Sequence, residues 1–212
     1  MTWSGAREKK EVKRGGERRV TSGEFDSEVA RWFAAGMEKM LWLLPVLGLA
    51  FFAGCASKPP LKAVDYVDLP RFMGDWWVIG HIPYWLERDT YDSKDTYRMR
   101  PDGKMDNIFS YRKGGFDGPE KVMNGIAWVV DKKSNAEWRV QFLWPIALPY
   151  YVLYLDPAYR FMAVGHPSRD YGWVMARDKR MSDADYAAVM KSLAEQGYDP
   201  SRFRKVPQSG GQ

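Results

Sequence analysis

Eight stretches of this chain alternate apolar and polar residues with a period of two, and most are joined by short turn-forming sequences. The first begins at Asp75. The others run over Lys94–Arg100, Lys104–Lys113, Val122–Lys132, Glu137–Phe142, Tyr150–Asp156, Arg160–Gly165 and Tyr171–Arg177. All are rich in aromatic and β-branched side chains, which suit a pleated, half-buried surface. Pro101-Asp102-Gly103, Lys133-Ser134-Asn135, Asp156-Pro157-Ala158 and Pro167-Ser168-Arg169-Asp170 carry turn chemistry. Short connections make consecutive strands antiparallel neighbours. Eight such strands leave two bare edges unless the sheet closes. The expected fold is therefore all-β: an eight-stranded antiparallel up-and-down β-barrel, wide enough inside for side chains or one small ligand. A sandwich with Greek-key crossings is the alternative, and the short connections argue against it. One C-terminal α-helix follows and should pack outside the wall. Ser182 is its N-cap, Gly197 ends it, and Tyr186, Val189, Met190 and Leu193 form a single apolar stripe. Pro200–Pro207 reads as an extended tail.

The N-terminal quarter is different. Residues 1–36 are polar and aperiodic, which reads as unstructured sequence, or as sequence upstream of a true start at Met37 or Met40. Residues 37–54 then carry a short basic segment and an uncharged run from Leu41 to Ala53. A spanning helix needs about 20 apolar residues, so this run suits a signal segment better. Phe52-Ala53-Gly54-Cys55 resembles a bacterial lipobox, although Phe52 stands where an aliphatic residue is usual. The resemblance implies that Cys55, the only cysteine, is acylated and becomes the first mature residue. Residues 55–66 are then a tether, 67–207 the barrel with its helix, and 208–212 a tail. Ala56 follows the cysteine in place of the aspartate of inner-membrane retention. By that resemblance the chain is lipid-anchored in the outer membrane, on its periplasmic face.

Three further segments, in order, resemble the lipocalin family. Leu69-Pro70-Arg71-Phe72-Met73-Gly74-Asp75-Trp76-Trp77 looks like a helical turn leading into Gly-x-Trp on the first strand. Tyr150–Tyr159 is similar to the turn between the sixth and seventh strands. Trp173-Val174-Met175-Ala176-Arg177 looks like the last strand, ending in the family arginine. The lipobox narrows the resemblance to bacterial outer-membrane lipoprotein lipocalins. It implies that Gly74, Trp76 and Arg177 hold the closed end together, with the arginine stacked on the tryptophan. It also implies a lipid ligand.

Parity from Trp76 puts Val78, Gly80 and Ile82 inside the barrel. Trp138, Val140 and Phe142 share an inward face on the fifth strand. Tyr150, Val152 and Tyr154 do so on the sixth, and Trp173 and Met175 on the eighth. Glycine and alanine at 80, 125 and 127 suggest an open volume. The loops Pro83–Arg88 and Trp144–Pro149 bring apolar residues to the mouth. There they could meet a membrane, form a homodimer interface or cap a ligand.

Other chemistries find little support. The net charge is +5 with no long basic run, so no nucleic-acid partner is expected. A single cysteine excludes an internal disulfide and a cysteine-based zinc site, and no metal site or cofactor is expected. His81 should point outward, next to an inward Gly80, and His166 lies in a turn. A paired acid and base inside the barrel would mark a lipocalin-fold enzyme, and parity gives none, so no catalytic residue is assigned. The expected function is binding, storage or transport of a fatty acid or lysophospholipid. The rivals are an envelope scaffold with a filled barrel and an enzyme acting on a lipophilic substrate.

Overall fold

The computed structural model describes residues 58–85 and 87–210. Cys55 and the segments before it lie outside the described residues. One turn of helix, α1 (Leu69–Phe72), is capped by the Asp68 carboxylate and precedes eight strands. These are β1 (Gly74–His81), β2 (Thr90–Met99), β3 (Met105–Lys113), β4 (Glu120–Val129), β5 (Glu137–Leu143), β6 (Ile146–Leu155), β7 (Phe161–Gly165) and β8 (Gly172–Ala176). Each pairs antiparallel with the next, and β1 pairs with both β2 and β8, so the ring is closed. The barrel is the expected one.

Two strand starts differ by four residues from the sequence reading. β2 starts at Thr90, four residues early, because a register shift between Tyr91 and Lys94 hides the alternation. Asp92 sits in that shift at a φ of 48°. β6 starts at Ile146, since Arg139 pairs with Pro149 and Val140 with Leu148. The Trp144–Pro149 loop is therefore a tight hairpin turn at Trp144-Pro145 whose flanks are strand. Prolines at both ends of the run concealed it.

The C-terminal tail also takes part in the sheet. β1 pairs with β2 only from Gly74 to Trp77, then parts from it. The freed edge of β1 is taken by β9 (Arg204–Lys205), which pairs with Gly80 and His81. Val206 N–H donates to Ile79 O at 2.9 Å. Gln208, assigned to a tail by sequence, is buried in the seam and donates from Nε2 to Val78 O at 2.8 Å. Buried backbone groups must find partners, and the tail supplies those that β2 does not.

Helix α2 (Asp183–Glu195) starts as expected, with Ser182 Oγ accepting from Asp185 N–H at 3.1 Å. Val189, Met190 and Leu193 are buried against Ile82, Leu153, Ala163 and Val174 on the outer face of the wall. Tyr186 lies against Gly80 so closely that a Cβ there would meet its hydroxyl at 2.6 Å. Gly80 is thus a contact point for the helix.

Inside the barrel, the end nearest α1 is filled. The rings of Phe72, Trp76, Tyr97 and Trp138 touch, with centroids 4.9–5.7 Å apart. Aromatic pairs of this kind contribute about 0.5–1.5 kcal/mol each beyond their buried area. Trp76 Nε1 donates to Phe72 O at 2.8 Å, and the Arg177 guanidinium lies 3.9 Å from the Trp76 ring. Arg177 also donates to the carbonyls of Asp75, Arg71 and Phe72, tying α1 to the strand ends. Gly74, at a φ of 98°, leaves room for it.

Candidate functional site

Above this floor the barrel is hollow. A cavity of about 350 Å³ opens at the end where β1 finishes and the β5–β6 and β7–β8 turns lie. Five residues assigned to it by parity line it: Val140, Phe142, Tyr150, Trp173 and Met175. Val78, Trp138 and Val152 are inward too, but they are fully packed in the core and do not reach the cavity. The hollow ends above them because the aromatic floor occupies that depth.

Gly80, Ile82 and Tyr154 point the other way. A bulge between Val78 and Gly80 places Ile79 and Gly80 both on the outer face, which carries Ile82 to the helix side. A second bulge between Val152 and Tyr154 does the same to Leu153 and Tyr154. An extra residue in one strand reverses the parity beyond it. Gly80 therefore opens no volume. Nor does Gly125, where the Phe142 ring occupies the space a side chain would take.

The same bulge turns His81 inward, against the parity reading. It is buried, opposite Trp173, with Nδ1 against Glu87 Oε2 at 2.5 Å. Trp173 Nε1 donates to both Glu87 oxygens at 3.0 and 3.1 Å. An acid and a base thus do meet inside the barrel. The Glu87 carboxylate lies between His81 and Trp173 and binds the mouth loop to β1 and β8.

Deeper in, β2 and β3 supply a polar patch. Asp95 is 8% exposed, and its Oδ1 accepts from Asn107 Nδ2 at 2.9 Å. Burial pushes its carboxyl up to about 7; the Asn107 amide opposes this and the Glu87 charge adds to it. The Tyr97 and Tyr150 hydroxyls are 2.7 Å apart, and burial raises both phenols well above their ordinary value. Phe109 and Met123 complete the apolar wall. Of these, sequence reasoning found Tyr150 and missed Asp95, Tyr97, Asn107, Phe109 and Met123. A signal was present in β3, where Met105, Asn107, Phe109 and Tyr111 alternate with more polar neighbours, but Ile108 blurs it.

The rim is apolar. Trp85 is 76% and Trp144 82% exposed, with Leu143, Ile146 and Leu148 beside them. His166 and Tyr171 stand edge to face on the other side, and burial lowers the His166 pKa. Of the cations near the loops, Lys94 is held on the outer wall by Asp75 at 2.9 Å. Among the described residues no cluster could hold a metal ion, and no helix is long and apolar enough to cross a membrane.

Known proteins resemble this chain in sequence and fold. A family model of the lipocalin-like domain matches residues 67–208. Temperature-induced lipocalin-1 of Arabidopsis thaliana is 33% identical, over 72% of this chain and 86% of its own. Outer membrane lipoprotein Blc of Escherichia coli (strain K12) is 30% identical, over 79% of this chain and 98% of its own. Insecticyanin from the tobacco hornworm Manduca sexta superposes with a TM-score of 0.57 at 18% identity, covering 70% of this chain and 84% of that one, a likeness of fold alone.

Proposed function

The chain belongs to the lipocalin family, and on that premise we propose that it is an outer-membrane lipoprotein that binds and stores or transports one lipophilic ligand, a fatty acid or lysophospholipid, in its barrel. The observation that carries this reading is the hollow itself: about 350 Å³ of mostly apolar space, floored by aromatic rings and open at one end. Pockets of this size and lining suit small ligands. Burying apolar surface contributes about 25 cal/mol per Å², so an acyl chain binds without a covalent step. The filled barrel of a scaffold does not fit such a volume.

Turnover is not part of this reading. Glu87 spends both oxygens on His81 and Trp173, and the pair serves to position the mouth loop. The exposed rim at Trp85 and Trp144 is the ligand's entrance, and in the same reading the surface on which two copies pair as a homodimer.

The anchor rests on Cys55. The match to Blc takes in more of this chain than the stretch from Ser57 to the C terminus can supply, so it reaches back past that cysteine. Acyl chains contribute about 0.8 kcal/mol per buried CH₂, and multiple acylation holds firmly. Labelling with radioactive palmitate in a bacterial host is expected to mark the wild type and leave Cys55→Ala unmarked and released from the membrane fraction. A label retained in Cys55→Ala would remove the anchor from the reading.

Titration of the purified protein with a fluorescent fatty acid tests the cup. Saturable binding with tryptophan quenching is expected, weakened tenfold or more in Trp173→Asp, which places a charge on the wall. Absence of saturable binding by either lipid class would favour the scaffold.

A further inference from the structure

The cavity's charge pattern is one-sided. Its lining holds two carboxylates, Glu87 and Asp95, and no lysine or arginine. Glu87 is compensated by the donors of His81 and Trp173. Asp95 is not. Its Oδ1 takes one amide hydrogen bond, and no donor among the described residues meets its Oδ2. The group is more than nine-tenths buried and faces the hollow.

Its surroundings are aromatic. Phe109 stands directly across the strand pair from it. Tyr97 is two residues along on the same face, and Tyr150 touches Tyr97 through the hydroxyl pair. The Trp173 ring stacks on Tyr150 at 6.3 Å. A desolvated carboxylate with aromatic side chains around it attracts a cation by direct charge, and aromatic rings add attraction where a face meets the cation. The same surroundings repel a carboxylate or phosphate pushed to this depth.

We propose that Asp95, with the rings of Phe109, Tyr97, Tyr150 and Trp173, forms an ammonium-binding subsite inside the barrel, so that the cup prefers amphiphiles bearing a positively charged nitrogen over fatty acids of equal chain length. This rests on the reading that the cup binds an amphiphile. It adds which polar group enters, and which residue receives it. The cost of burying an unpaired carboxylate is then offset by the ligand.

Three ligands of one chain length separate the possibilities: dodecylamine, dodecanol and laurate. Each competes at pH 8 with the neutral probe N-phenyl-1-naphthylamine bound to the purified full chain. Below their critical micelle concentrations, dodecylamine is expected to bind at least tenfold more tightly than laurate, with dodecanol between them. In Asp95→Asn, which keeps shape and a polar contact to Asn107, the amine should fall to parity with dodecanol while dodecanol itself is unchanged. Laurate binding as tightly as dodecylamine to the wild type would overturn the subsite. So would an amine preference that survives Asp95→Asn. Displacement by none of the three would overturn the cup reading itself, a result distinct from the other two.

Discussion

Trp76→Ala is expected to lower the melting temperature by about 10 °C, with ligand affinity falling only as far as the folded fraction falls. Large-to-small changes at buried tryptophans cost about 3–5 kcal/mol, and a domain of this size loses roughly 2–4 °C per kcal/mol. Trp76 is fully buried, and its loss undoes several things together. The indole hydrogen bond to Phe72 O goes, Phe72 loses its ring contact with the indole, and Arg177 is left stacked on nothing. Arg177→Met keeps the bulk and removes the charge. It should cost less, about 1–2 kcal/mol, from the cation–π contact and the carbonyls of Arg71, Phe72 and Asp75. Thermal melts read both. A Trp76→Ala protein with wild-type stability and no ligand binding would show instead that the tryptophan belongs to the site, although it does not line the cavity.

The second large effect concerns Asp95 without ligand. Its folded-state pKa of about 7 lies above the ordinary value of 3.8. Between those values the folded protein holds a proton that the unfolded chain has released. Stability contributed by this group therefore falls as pH rises from about 4 to 7 and levels off above. Each pKa unit corresponds to about 1.4 kcal/mol, so Asp95→Asn should gain roughly 2–4 kcal/mol over wild type at pH 8 and little at pH 4. The groups facing Asp95 are Glu87 and Tyr84 from the mouth loop, Tyr97 on its own strand and Tyr150 from β6, and the three phenols, raised by burial, stay neutral across this range. Other carboxylates, such as Asp156 held down by the Arg160 guanidinium, act in the opposite direction at lower pH. The measurement is therefore the difference between variant and wild type in urea denaturation across pH 4–8. A constant difference would mean that Asp95 is ionised throughout and solvated from the cavity. A residue kept at a cost to stability fits the ammonium subsite, where function and fold place opposite demands on one side chain.

Much of this architecture was legible because it depends on short-range patterns. Alternation and turn residues gave eight antiparallel strands, and edge avoidance gave closure. The stripe at Tyr186, Val189, Met190 and Leu193 gave the outer helix. On β5 and the middle of β6 the inward faces needed nothing beyond parity, and Val140 and Tyr150 lie where counting puts them. The limits at Ile146 and Thr90 failed for local reasons, prolines in one case and the shift at Asp92 in the other.

The site was less legible, because parity holds only while a strand is regular. The bulges at Ile79 and Leu153 each spend one extra residue on the outer face. Gly80, Ile82 and Tyr154 leave the interior as a result, and His81 enters it. Nothing in the alternation marks these points. The one at Ile79 lies where β1 leaves β2 for the returning tail and meets Tyr186 of the helix at Gly80, contacts with segments more than a hundred residues away. Local alternation and turn chemistry were enough for a closed meander and its helix. The depth of the hollow, and the presence of Glu87 and Asp95 in it, depend on long-range hydrogen bonding and packing, which select the face each residue shows.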